Sequence, residues 1–178
     1  MQRFHNKTIL ITGASSGIGL AGAKRLIAEG AHVIITGRTA SRLNAAAAEL
    51  GANATAILDD AADGNTLTRL LPVVERSGKL DGLWLNAAYA VGAPLEATDK
   101  TTIEQMLQVN VVAPMLQMGA LSPYLRDGAS VVVTSSSAVY EGQPQVALYA
   151  ASKAAILAAA RSWAAELAPR GIRVNSLV

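Results

Sequence analysis

The 178-residue chain is 51% hydrophobic, 16% charged and only 4% aromatic, which excludes a disordered chain and fits one compact core burying roughly 70% of the surface the unfolded form exposes. Its 15 Lys and Arg against 13 Asp and Glu give a formal charge of +2, and the cations are scattered singly, so no nucleic-acid footprint is present in the sequence. With no Cys, and with His5 and His32 far apart, neither a disulfide framework nor a zinc site is expected and no metal ligand is singled out, while a carboxylate-bound magnesium ion stays compatible with the sequence.

The N-terminal MQRFHNKTILIT has no signal-peptide apolar region, and no run of 18 apolar residues follows; a soluble, cytoplasmic protein without a membrane partner is expected. In chain order, short aliphatic runs alternate with longer Ala- and Leu-rich stretches of helical period. Strands are predicted at Lys7–Thr12, His32–Thr36, Ala54–Leu58, Gly82–Asn86, Ser130–Ser135 and Arg173–Leu177. Helices are predicted between them at Gly17–Glu29, Ala40–Leu50, Gly64–Ser77, Thr101–Arg126 and Leu148–Pro169. Gly30, Gly51 and Ser77-Gly78 mark helix ends, and no linker or repeat divides residues 1–178. This alternation predicts a single α/β domain with a doubly wound parallel sheet, the Rossmann architecture, in strand order 3-2-1-4-5-6. Its ligand belongs at the carboxyl ends of the strands, where the order reverses.

The first strand runs into Thr12-Gly13-Ala14-Ser15-Ser16-Gly17-Ile18-Gly19 and then a helix. The spacing GxxxGxG is neither GxGxxG nor a P-loop, but its glycines allow the same sharp turn and close approach of backbone N–H groups to a pyrophosphate. The second strand ends in Thr36-Gly37-Arg38. Gly stands where NAD-preferring folds place an acid, and Arg38, with Arg42 as a second cation, can grip a 2′-phosphate. NADP(H) is therefore expected over NAD(H).

Tyr149 and Lys153 are four residues apart on one helical face. A phenol acting as acid or base near neutrality needs its pKa of about 10 lowered by roughly three units. A lysine achieves that only in a partly dry site with a cationic cofactor ring beside it. Ser136, at the end of the fifth strand, faces the side of the glycine loop, so loop, hydroxyl and Tyr/Lys pair converge on one crevice.

At this point the chain resembles a classical short-chain dehydrogenase/reductase over essentially its whole length: TGASSGIG matches the cofactor loop, YAASK the Tyr-x-x-x-Lys, Ser136 stands 13 residues before Tyr149, and IRVNSLV is similar to the following strand. The resemblance implies a hydride-transferring oxidoreductase acting on a small carbonyl/alcohol pair. It makes Tyr149 the general acid/base, and Lys153 the residue that binds the nicotinamide ribose and lowers the tyrosine pKa. Ser136 would hold the substrate carbonyl, and Asn110 in QVNVVAP would steady a proton-relay water. Asp60 and Ala61 would meet the adenine, and Asn86, Ala87 and Ala88 would line the adenosine ribose. Two departures stand out. Leu85-Asn86-Ala87-Ala88 replaces Asn-Asn-Ala-Gly, and the sequence stops at Val178, before the family's substrate loop and last edge strand. The Ala-rich last helix (Ala154, Ala155, Ala158, Ala159, Ala160) and the family habit of packing it against symmetry mates imply a homo-oligomer, a tetramer or dimer. A non-catalytic dinucleotide-binding scaffold or redox sensor is the competing expectation.

Overall fold

A computed structural model describes residues 2–178. Six short aliphatic runs form the strands: β1 (Thr8–Ile11), β2 (His32–Gly37), β3 (Ala54–Leu58), β4 (Leu80–Leu85), β5 (Leu125–Thr134) and β6 (Arg173–Leu177). They lie in the order β3-β2-β1-β4-β5-β6, every pair parallel. The fold is the expected doubly wound α/β sheet. Because the chain returns from β3 at one edge to β4 beside β1, the strand order reverses there and a crevice opens beyond the carboxyl ends of the strands.

Alternation along each strand splits the core in two. Leu10, Leu83, Val131 and Val133 face one side, where they pack with residues of α3 (Thr66–Ser77), α5 (Ala113–Leu121) and α6 (Ala147–Leu167). Ile9, Ile11, Val33 and Ile35 face the other, under α1 (Gly17–Ala28) and α2 (Ala40–Leu50). Trp84 of β4 also points to the α1 side, where a Cβ on Gly22 would sit 2.2 Å from the indole Cζ3. Close packing of the helix on this ring therefore requires glycine at position 22.

The predicted helix Thr101–Arg126 is interrupted. It consists of α4 (Lys100–Leu107), a π-helical turn over Gln108–Val112, and α5, followed by a 3-10 turn at Ser122–Tyr124. Asp99 starts α4 by accepting the backbone N–H of Thr102 at 3.0 Å. The π turn falls where Pro114 lacks the N–H that a regular helix would donate to the carbonyl of Asn110, four residues earlier. Pro123 then ends the helical segment, and β5 begins at Leu125 rather than at Ser130. Helix α3 starts two residues later than predicted, because Asp63 Oδ1 accepts the backbone N–H of Asn65 at 3.0 Å and makes a side-chain-closed turn instead. No helix among the described residues is long and apolar enough to cross a membrane.

Candidate active site

The site is built from the loops that leave β1, β2, β3, β4 and β5. After β1, Gly13 adopts φ +67°, and a Cβ there would lie 2.7 Å from Ala87 Cα. The glycine loop thus rests directly on the backbone that leaves β4. Thr12 fastens the contact: its hydroxyl accepts the N–H groups of Asn86 (2.9 Å) and Ala87 (3.1 Å), and Asn86 Nδ2 donates to the carbonyls of Thr12 (3.1 Å) and Gly13 (3.2 Å). Helix α1 then begins with Ser16 as N-cap but without a side-chain cap. Its first-turn N–H groups remain available to an anion.

One cleft of about 370 Å³ follows. Gly13, Ser15, Ser16 and Ile18 form one wall. Arg38, Arg42, Asp60 and Ala61 lie at one end, and Asn86, Ala87 and Ala88 along the β4 side. Tyr149 and Lys153 close the other end. Gly17 and Gly19 complete the loop; Gly19 packs so closely that a Cβ would meet Asn86 Nδ2 at 2.7 Å. The structure therefore gathers thirteen residues singled out from the sequence on one surface, with Gly17 and Gly19 in the same loop.

Lys153 is only 2% exposed, its Nζ donates to the Thr134 carbonyl at 2.8 Å, and burial pulls its pKa from the ordinary 10.5 down to about 8. It lies 5.8 Å from the centre of the Tyr149 ring. Ser136 starts the 3-10 turn Ser137–Val139, its Oγ accepting the Ala138 N–H at 3.2 Å. That contact uses a lone pair and leaves the hydroxyl proton to donate elsewhere. Asn110, 2% exposed, sits in the π turn with its side chain committed to protein: Oδ1 accepts from Tyr89 N (2.8 Å), and Nδ2 donates to Tyr89 O (2.8 Å) and Ser152 Oγ (3.0 Å). It borders a recess shared with Lys153 and Thr134.

The Leu85 departure is absorbed by packing. Leu85 pairs in register with Val133, and both are buried in the same apolar cluster, so no amide there lacks a partner. Sequence reasoning missed Thr134, whose carbonyl receives Lys153 while its hydroxyl accepts from Trp84 Nε1 (2.9 Å) and donates to Asn86 Oδ1 (3.1 Å). It also missed the hydrogen-bond roles of Thr12, Tyr89 and Ser152. Their contacts with Lys153, Asn110, Trp84, Asn86 and Ala87 span 19 to 75 positions, separations that carry no local pattern.

The sequence model described as short chain dehydrogenase matches residues 7–178. The chain belongs to the short-chain dehydrogenase family. Among its relatives, Oxidoreductase asL5 of Sarocladium schorii is 38% identical over 180 residues, which are 99% of this chain and 72% of that protein. A short-chain dehydrogenase of Burkholderia cenocepacia, solved in complex with NADP, is 37% identical with a TM-score of 0.89, over 98% of this chain and 74% of the other. The 3-ketoacyl-(acyl-carrier-protein) reductase of Brucella melitensis, solved with NADH, is 28% identical with a TM-score of 0.90, over 97% and 75%. The chain is thereby a member of an oxidoreductase family whose proteins bind a nicotinamide dinucleotide.

Proposed function

We propose that the protein is an NADP(H)-dependent reductase or dehydrogenase that interconverts a small ketone or aldehyde and its alcohol. The observation that carries this reading is the shared cleft, in which the Tyr149 and Lys153 side chains stand opposite a cationic end formed by Arg38 and Arg42. The residues fit a dinucleotide phosphate. The uncapped start of α1 and the bare glycine backbone suit a pyrophosphate, and two guanidiniums with no carboxylate at position 37 suit a 2′-phosphate. A bound NADPH would supply the hydride that reduces the carbonyl carbon.

The chain's own groups do the rest. The free Ser136 proton donates to the substrate oxygen as charge develops on it. Tyr149 delivers the proton that makes the alcohol. Lys153, with one donor held by Thr134, keeps two for the ribose side of the cofactor and for the phenol oxygen. Asn110 acts through backbone: its side chain fixes the Tyr89 loop, and its carbonyl, for which Pro114 supplies no N–H, is the group that would steady a relay water.

The test is NADPH oxidation followed over a panel of ketones and aldehydes, with the Tyr149→Phe variant alongside. Turnover is expected to vanish in Tyr149→Phe while NADPH still binds; near-normal turnover in that variant would refute the assignment. We also place the protein in the cytoplasm as a homo-oligomer. Leu107, Val112, Met115 and Leu116 are exposed along α4 and α5, and Ala154 and Ala158 leave a flat, exposed strip on α6. A monomeric mass in solution at micromolar concentration would overturn the oligomer.

A further inference from the structure

The segment that carries Asp60 leaves β3, which is an edge strand with β2 as its one neighbour, and runs irregularly from Asp59 to Asn65 before α3 begins. Such a segment moves unless its own side chains tie it down. Asp59 does this. Its backbone N–H donates to Gly37 O at 3.0 Å, beside Arg38. Its carboxylate, with the side chain 1% exposed, accepts from Thr66 Oγ1 at 2.7 Å and Arg69 Nε at 2.9 Å. Arg69 Nη1 continues to Asp63 at 2.9 Å, and Thr66 Oγ1 accepts Gln117 Nε2 of α5 at 3.2 Å. Gln117 borders the same recess as Asn110 and Lys153.

Asp60 is thereby held between two fixed points. One of its oxygens closes the turn onto Ala62 N at 2.9 Å, and its carbonyl accepts Asp63 N at 2.9 Å. The other carboxylate oxygen is left for a ligand. A buried ion pair is a poor device for stability alone, since an apolar pair of equal volume usually serves as well. This one also leaves Arg69 Nη2 buried without a partner. Its geometry is better matched to fixing a direction.

We propose that Asp59 is a positioning residue for the adenine end of the cleft, its carboxylate clamped by Thr66 and Arg69 so that the Asp60–Ala61 turn presents a fixed edge to the adenine of the cofactor. This rests on the dinucleotide reading above. Binding of NADPH and of 2′,5′-ADP, which carries the adenine half alone, is measured by calorimetry for the wild type, Asp59→Asn and Thr66→Val, together with kcat at saturating NADPH and the melting temperature. Asn at position 59 keeps the shape but accepts only one of the two donors. Asp59→Asn is expected to raise both dissociation constants about tenfold or more and Thr66→Val severalfold, with kcat within twofold of wild type. A lowered melting temperature with both dissociation constants unchanged would mean a structural role only and would overturn the proposal. If Asp59→Asn does not fold, Thr66→Val decides on the same criterion. Wild-type protein that binds neither NADPH nor NADH would sink the dinucleotide reading as well, whereas wild-type binding matched by both variants sinks only the positioning role.

Discussion

The two ends of the cleft are built on opposite principles. At the Tyr149 end, the polar groups that surround the chemistry are buried and anchored to protein: Lys153 to Thr134, Asn110 to Tyr89 and Ser152, and Ser135 Oγ to the Lys153 carbonyl at 3.2 Å. At the adenine end, Arg38 and Arg42 project as exposed cations from a loop and the start of α2. The buried end can hold atoms within tenths of an ångström, as a proton transfer requires. The exposed end has side chains free to adjust to a phosphate, which suits recognition rather than chemistry. Changes at the first end should therefore act on kcat, and changes at the second on cofactor affinity.

Second only to the loss of turnover in Tyr149→Phe, the largest expected effect at the buried end is that of Ser136→Ala, which removes one donor to the substrate oxygen and should lower kcat by about 10²–10³ with the NADPH KM little changed. Steady-state kinetics with the best carbonyl of the panel checks it. A matching rise in KM for NADPH would blur the division between the ends.

Lys153 gives a pH test of the same burial. Its pKa is about 8 in the folded protein against 10.5 ordinarily, so between those values the unfolded chain binds more protons and stability rises with pH. The contribution is complete above pH 10.5 and is lost as pH falls through about 8. The stability of wild type relative to Lys153→Met should therefore rise by at most about 3 kcal/mol from pH 7 to pH 10.5, as read from urea unfolding. A flat difference would mean the amine is hydrated.

Gly13 joins the two ends. Alanine there must hold φ +67° and press its methyl on the Ala87 backbone, so Gly13→Ala should lose about 1–3 kcal/mol of stability. It should also weaken NADPH binding, with both effects visible in thermal melts with and without cofactor. The smallest effect belongs to the exposed end. Arg38→Gln should raise the NADPH dissociation constant about tenfold, while NADH binding and kcat stay within twofold. Equal losses for NADPH and NADH would remove the 2′-phosphate role of Arg38.

Much of this was legible because it is local. The glycine loop lies between one strand and one helix, Tyr149 and Lys153 share a helical face four residues apart, and Arg38 follows its strand directly. The helix from Thr101 to Arg126 was misread because composition alone does not weigh Pro114 and Asn110 together: the missing N–H and a side chain that prefers the Tyr89 backbone open the helix between them. Thr134 was invisible because its partners come from other elements, Trp84 and Asn86 from β4 and the loop after it and Lys153 from α6.

The sequence by itself determined the strand order, the positions of the loop, serine, tyrosine and lysine, and the absence of an acid at Gly37, because periodicity and short spacings act over a few bonds. Only the tertiary structure decided how far Lys153 is dried, that the Asn110 side chain serves the fold at the border of the recess, that Leu85 is matched by Val133, and that Asp59 rather than Asp60 carries the clamp. Each of those depends on desolvation or on a hydrogen-bond partner from another element, and both exist only once the sheet has brought distant segments together.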